Sequence, residues 1–185
     1  MATMRRLRSR RLRRIHTLAS TATPTRRTPE NASELDIAMM RRALALADEA
    51  AAIGEVPVGA VIYRGNEIIA DAFNLRESGN DPTAHAELVA MRRAGEALGE
   101  WRLTGCSLAV TLEPCPMCAG ALVNARLQRV VYGAADPKAG ACHTLYRIPA
   151  DARLNHRVEI IHGVLESDCR RQLQAFFRSR REKKP

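Results

Sequence analysis

Ser107-Leu108-Ala109-Val110-Thr111-Leu112-Glu113-Pro114-Cys115-Pro116-Met117-Cys118 changes character halfway along. Ser107 to Leu112 is a short apolar run with β-branched residues, the pattern of a buried strand. Pro116 then suits the first position of a helix, where a missing N–H costs nothing, and the helix is expected over 116–126. Cys115 and Cys118 are three apart, so they share one face of the first turn and can grip one ion.

The same alternation extends in both directions. Upstream, Ser33 and Asp36 form a capping-box pattern ahead of Ile37, Met40, Leu44, Ala47 and Ala51 at helical spacing, and Gly54 ends that helix. Residues 56–63 and 67–73 read as two strands joined by Arg64-Gly65-Asn66, a hairpin. A polar loop over 76–82 leads to a helix expected from about Thr83 to Leu98, with Pro82 at its start. Downstream come a strand over 129–133, a loop over 134–154, a strand over 158–161 and a helix over 166–181. Helices alternate with strands, and the apolar runs are continuous enough for burial on both faces, so an α/β layered domain is expected.

His85-Ala86-Glu87 stands about thirty residues before the cysteines. Three zinc ligands, His85, Cys115 and Cys118, leave a fourth position open for water, whereas structural zinc is normally closed by four. Two thiolates balance the zinc charge and leave it Lewis acidic, able to lower the pKa of water towards about 7. Glu87 is then the proton shuttle, taking a proton from water and giving it to a ring nitrogen and a leaving amine. A lone CxxC is often redox-active or structural, and a lone HxE is most often surface polarity; their joint occurrence and order carry the zinc reading. Cys106 or Cys142 could close the site as a fourth ligand, but their positions before a strand and in a loop suit free thiols better.

The net charge of +9 is local. Residues 1–28 hold nine arginines and no acidic residue, so the other 20 basic residues balance the 20 acidic ones. That extension is expected to be a disordered basic tail; an organelle targeting segment and translated upstream sequence are the alternatives. The folded domain is placed at 29–181, and 182–185 is read as a basic tail. At the carboxyl end Arg170, Arg171, Arg178, Arg180, Arg181, Lys183 and Lys184 could hold phosphates, or form a solvated helix end. No run of about 18 apolar residues suggests a membrane span. Five cysteines with one CxxC do not form a secreted disulfide framework, and a reducing compartment is expected.

At His85-Ala86-Glu87 and Pro114-Cys115-Pro116-Met117-Cys118 the chain resembles the cytidine deaminase-like zinc deaminases. Within them it resembles the bacterial tRNA-specific adenosine deaminases over about residues 33–181. The segments that carry this are Glu55-Val56-Pro57-Val58-Gly59-Ala60, Asp81-Pro82-Thr83-Ala84-His85-Ala86-Glu87, Val110-Thr111-Leu112-Glu113-Pro114-Cys115 and Asn155-His156-Arg157-Val158-Glu159-Ile160. The resemblance implies a three-layer α/β/α fold with a mixed five-stranded sheet flanked by helices. It also implies a cytoplasmic homodimer with active sites near the interface, and one zinc per subunit on His85, Cys115 and Cys118 with Glu87 as catalytic proton donor. The implied substrate is the wobble adenosine of a tRNA anticodon stem-loop, usually the arginine tRNA with anticodon ACG, converted to inosine.

By the same matching, Asn74 hydrogen-bonds the flipped adenine and Asp136 lies near the nucleotide's sugar and backbone; as isolated residues both read as turn formers. Arg178, Arg180 and Arg181 are candidates for tRNA-backbone contacts. Phe176 and Phe177, as paired aromatics near a helix end, read as core. The segment Ala141-Cys142-His143-Thr144-Leu145-Tyr146 is less like the family than its flanks, so context preference could differ. Two other readings stand beside this one. A deaminase of free guanine or cytosine bases or nucleosides would share the zinc motif but has no need of the basic carboxyl-terminal helix. A non-catalytic, zinc-stabilised RNA-binding module would close its site with four ligands and tolerate Glu87→Gln.

Overall fold

Ser33 opens the first helix, α1 (Glu34–Ala52), in the computed structural model, which describes residues 32–182. Ser33 Oγ accepts from the Asp36 N–H at 3.1 Å, and the Asp36 carboxylate accepts from the Ser33 N–H at 2.9 Å, which completes the capping box. Asp36 is fully buried, and its other oxygen accepts from the Tyr63 hydroxyl at 3.2 Å and from the Arg129 guanidinium. One carboxylate thus ties the helix start to two strands. The expectations for residues 1–28 and for the tail beyond Glu182 lie outside the described residues.

The strands are β1 (Gly59–Arg64), β2 (Glu67–Phe73), β3 (Ser107–Leu112), β4 (Arg129–Ala134) and β5 (Glu159–His162). They form one mixed sheet in the order β2-β1-β3-β4-β5. β1 is antiparallel to β2 and β3, while β3, β4 and β5 run parallel. Helices α2 (Ala86–Leu98) and α3 (Pro116–Asn124) supply the connections from β2 to β3 and from β3 to β4, and α4 (Glu166–Glu182) follows β5. The three-layer α/β/α architecture with a mixed five-stranded sheet is as expected.

Alternation along the strands sorts side chains into two cores. Ala60, Ile62, Leu108, Val110, Val130, Tyr132 and Ile160 join α2 and α3 on one face. Val61, Tyr63, Ala109, Val131 and Ile161 meet α1 and α4 on the other, where Met40 and Cys169 are buried. α1 approaches β1 so closely that a Cβ on Gly59 would sit 2.0 Å from the Ala43 carbonyl oxygen. Only glycine permits that approach.

Four expectations need correction. β1 begins at Gly59 rather than residue 56, because residues 56–58 follow the turn out of α1 without joining the sheet, the Val58 N–H donating to the Val56 carbonyl at 2.8 Å. β2 is an edge strand with exposed or half-exposed residues along most of its length, so burial on both faces holds for the central strands only. α2 begins at Ala86, not Thr83, and Pro82 is not its first residue. Asp81 accepts from the Thr83 N–H at 2.8 Å and the Thr83 hydroxyl at 2.6 Å, forming an Asx turn that holds the chain out of helix until His85. Phe177 is 45% exposed, because α4 buries only the stripe around Cys169 and leaves its last turns projecting. Among the described residues no helix is long and apolar enough to cross a membrane.

Candidate active site

α2 and α3 each begin at a residue that does not cap its helix. A side chain at this position normally accepts a first-turn N–H, which favours Ser, Thr, Asp or Asn. His85 holds the place on α2 (φ −69°, ψ 149°) and Cys115 on α3 (φ −71°, ψ 173°), and neither makes the usual side-chain capping bond. Their side chains meet each other instead. Cys115 Sγ and Cys118 Sγ each lie 3.6 Å from His85 Nδ1. The three ligand atoms fall within 4.8 Å of one another.

This spacing fits zinc. Sulfur at about 2.3 Å and nitrogen at about 2.0–2.1 Å from a tetrahedral ion stand about 3.5 Å apart. The positive ends of two helix dipoles also converge here, which favours thiolates. Hydrogen bonding with Cys118 brings the Cys115 thiol down to about 4 against the opposing effect of burial. The same contact, reinforced by burial, pushes Cys118 up, and Cys115 in turn raises His85. Two sulfurs and an imidazole that compete for protons are a donor set a divalent cation satisfies by displacing them. Neither Cys106 nor Cys142 joins the group among the described residues, although both are buried and unoxidised. Among the described residues the group thus offers three ligands rather than the four of a closed structural site.

Glu87 stands two residues into α2, only 4% exposed, and outside the ligand group. Burial pushes its carboxyl above the ordinary range, which His85 partly opposes. A cavity of about 240 Å³ opens over these residues, and its walls include Asn74, Arg76, His85, Glu87, Cys115 and Asp136. Drug-sized pockets measure about 300–1,000 Å³, so this one suits a single base rather than a length of chain. The structure thus brings together five of the residues singled out in the sequence, Asn74, His85, Glu87, Cys115 and Asp136, with Cys118 Sγ 3.6 Å from His85 Nδ1. Asn74 Nδ2 donates to Glu55 at 2.8 Å, which turns the amide oxygen away from that carboxylate. Asp136 lines the cavity and also initiates a turn, its Oδ1 accepting from the Lys138 N–H at 2.8 Å.

The carboxyl-terminal arginines are not brought to this cavity. Arg178 and Arg181 are exposed on α4, while Arg180 donates to the Gly54 carbonyl and lies 5.1 Å over the Phe176 ring. Sequence reasoning missed two acids that build the walls. Glu55 and Glu113 are 1% and 2% exposed and are not members of the three-ligand group. Glu55 accepts from the Ser78 N–H at 2.6 Å as well as from Asn74. Burial opposes ionisation of both acids, but hydrogen bonds from Ser78 to Glu55 and from Thr144 to Glu113 outweigh it and hold the carboxyls below their ordinary value. Their available signal was an acidic residue between apolar residues: Glu55 before Val56, Glu113 at the end of a buried strand.

Three comparisons bear on this geometry. The MafB19-like deaminase family matches residues 35–181. The tRNA-specific adenosine deaminase of Bacillus subtilis (strain 168) is 51% identical over 145 residues, 78% of this chain and 90% of the relative. A solved structure from studies of A-to-I editing by tRNA deaminases at the wobble position of transfer RNA superposes with a TM-score of 0.71. It is 42% identical and covers 73% of this chain and 98% of its own. Guanine deaminase from Bacillus subtilis is 46% identical, but covers only 53% of this chain and 63% of its own, with a TM-score of 0.51.

Proposed function

Because the chain belongs to the MafB19-like deaminase family, and within it to the tRNA-specific adenosine deaminases, we propose that it converts the wobble adenosine of tRNA to inosine. The reaction replaces the adenine C6–NH2 with C6=O, consuming one water and releasing ammonia. His85 Nδ1 and the sulfurs of Cys115 and Cys118 hold one zinc per subunit, a role their spacing supports. When bound, zinc supplies the Lewis acidity that makes water nucleophilic near neutral pH.

Everything else is done by the chain. Glu87 takes a proton from the attacking water, passes it to the ring nitrogen beside the reacting carbon, and assists departure of the amine. Its burial suits the task, since a carboxyl raised above its ordinary range can be protonated and deprotonated within one turnover. Asn74 and Asp136 orient the nucleoside from opposite loops. The small cavity admits the adenosine only when it is swung out of the anticodon stack.

The single observation that carries this reading is the buried carboxylate of Glu87 beside a three-ligand group on the floor of a base-sized cavity. It disfavours a zinc-stabilised RNA-binding module, which has no use for an open position. The arginine tRNA with anticodon ACG is the proposed acceptor, and the exposed Arg178 and Arg181 on α4 are the residues proposed to meet its backbone. A cytoplasmic homodimer completes the proposal. An apolar hollow of about 730 Å³ over α2 and α3, bordered by Leu88, Met91, Leu103 and the exposed Trp101, offers a surface for a second copy.

Purified protein should be incubated with ACG-anticodon tRNA, free nucleosides and free bases, and the products digested and examined for inosine. Inosine at the wobble nucleotide is the expected result. Activity confined to the free compounds would remove the tRNA assignment.

A further inference from the structure

β3 and β4 lie side by side and parallel, with Leu112 opposite Ala134, so the segments that leave them begin together. One leads through Glu113 and Pro114 to Cys115; the other is an irregular stretch from 135 to 147 that brings Asp136 to the cavity. This second segment belongs to no helix or strand; beside turn bonds such as Gly140 N–H to the Asp136 carbonyl at 2.9 Å, four of its N–H donors converge on the buried carboxylate of Glu113. Glu113 accepts from the N–H groups of Asp136 at 3.1 Å, Cys142 at 3.1 Å, His143 at 2.7 Å and Thr144 at 2.9 Å, and from the Thr144 hydroxyl. Two carboxylate oxygens offer about four lone-pair sites, so these donors saturate the group.

The wrapping depends on Gly140. A Cβ there would stand 2.4 Å from Glu113 Oε2 and 2.6 Å from the Asp136 carbonyl oxygen. The Ala141 N–H also donates to the Pro114 carbonyl at 2.9 Å, so the loop grips the peptide next to Cys115 as well. We infer that Glu113 is a positioning residue for the deamination: it touches no reacting atom, but sets the loop that carries Asp136 against the zinc-ligand strand and so fixes the substrate wall of the cavity. This rests on reading the cavity as the adenosine pocket, with Asp136 on its sugar side.

A double-mutant cycle on the zinc-loaded enzyme tests it, with an ACG anticodon stem-loop as substrate. Glu113→Gln keeps the side chain's size but turns an NH2 towards backbone N–H groups that need an acceptor. It should raise KM about tenfold, as expected from losing one well-formed substrate contact, and leave zinc at one per chain. Asp136→Ala should cost a similar factor in the wild type but less than about threefold in the Glu113→Gln background, because the displaced loop no longer presents Asp136. Equal costs in both backgrounds would overturn the inference, since a purely structural role for Glu113 leaves Asp136 acting independently. Should Glu113→Gln fold poorly or lose zinc, Gly140→Ala moves the same loop without touching β3, and the same non-additivity with Asp136→Ala is expected; additivity there also overturns it. Wild-type enzyme that leaves the wobble adenosine unchanged would remove the functional reading, and this inference with it.

Discussion

His85 and Cys115 hold equivalent places at the starts of two different helices, and the Nδ1 of one lies 3.6 Å from the Sγ of the other. Each has given up capping its own helix to serve a shared site. The convergence places Glu87 within one turn of the ligands but outside their circle, since it stands one position further into α2 than the first helical residue. On the proposed reading, the separation of ligand from proton carrier therefore follows from where a helix starts.

Glu87→Gln tests that separation. The substitution keeps the size and removes the charge, so zinc content and melting temperature should stay close to wild type. Inosine formation should fall by at least about 10²-fold, the usual contribution of a positioned acid–base group. Metal analysis and single-turnover assays on one preparation would check it. An active Glu87→Gln enzyme would show that the proton travels by another route.

The abandoned caps make Cys115→Ser and Cys118→Ser differ. Both should lose zinc, because each removes one of three ligands. In metal-free protein, however, a serine hydroxyl at position 115 is a better acceptor for a first-turn N–H of α3 than the Cys115 sulfur, which makes no regular cap and lies against Cys118. Metal-free Cys115→Ser should therefore be more stable than metal-free wild type by about 1 kcal/mol. Cys118→Ser, inside α3 and fully buried, gains no cap and should be less stable. Thermal melts in excess chelator would separate the two.

The zinc ligands were legible because the chemistry demands those residue types at a helix start, and Pro116 marked one such start. The start of α2 was misread for a physical reason. Pro82 promised a helix, but Asp81 captured Thr83 in a local turn, and so His85 became the cap rather than an interior residue. The continuous apolar runs marked the buried central strands, but the order β2-β1-β3-β4-β5 was not legible, because pairing joins segments far apart in the chain. The roles of Glu55 and Glu113 were not legible, because both bind backbone N–H groups at distant positions and no residue-type pattern records those partners.

Arg178, Arg180 and Arg181 should not respond alike. Arg178→Ala and Arg181→Ala remove exposed charges and should raise KM for tRNA. Each should also flatten the dependence of log KM on log salt by about one unit per lost phosphate contact. Arg180 is engaged with the Gly54 carbonyl and the Phe176 ring, so Arg180→Ala should also lower the melting temperature, by loosening α4 from the end of α1. Salt titrations of KM, set beside melting curves, would distinguish the classes. A purely thermal effect in all three would move the RNA surface elsewhere.

Glu55 gives the fold a defined acid sensitivity. Its carboxyl sits below the ordinary value of 4.5, because the hydrogen bonds from Ser78 and Asn74 outweigh the burial that opposes ionisation. A group whose folded value is depressed contributes stability that is present above its unfolded pKa and lost as pH falls through its folded pKa. Wild type should therefore exceed Glu55→Gln in urea midpoint at pH 7, and the gap should narrow as pH falls below the ordinary carboxylate value and on through Glu55's lower folded value. Comparing the difference between the two proteins cancels the acid release of zinc, which they share. A gap that stayed constant from pH 7 to about pH 3 would mean that Asn74 and Ser78 are held equally well by a neutral carboxyl, contrary to the charge-assisted bonding argued for this wall of the cavity.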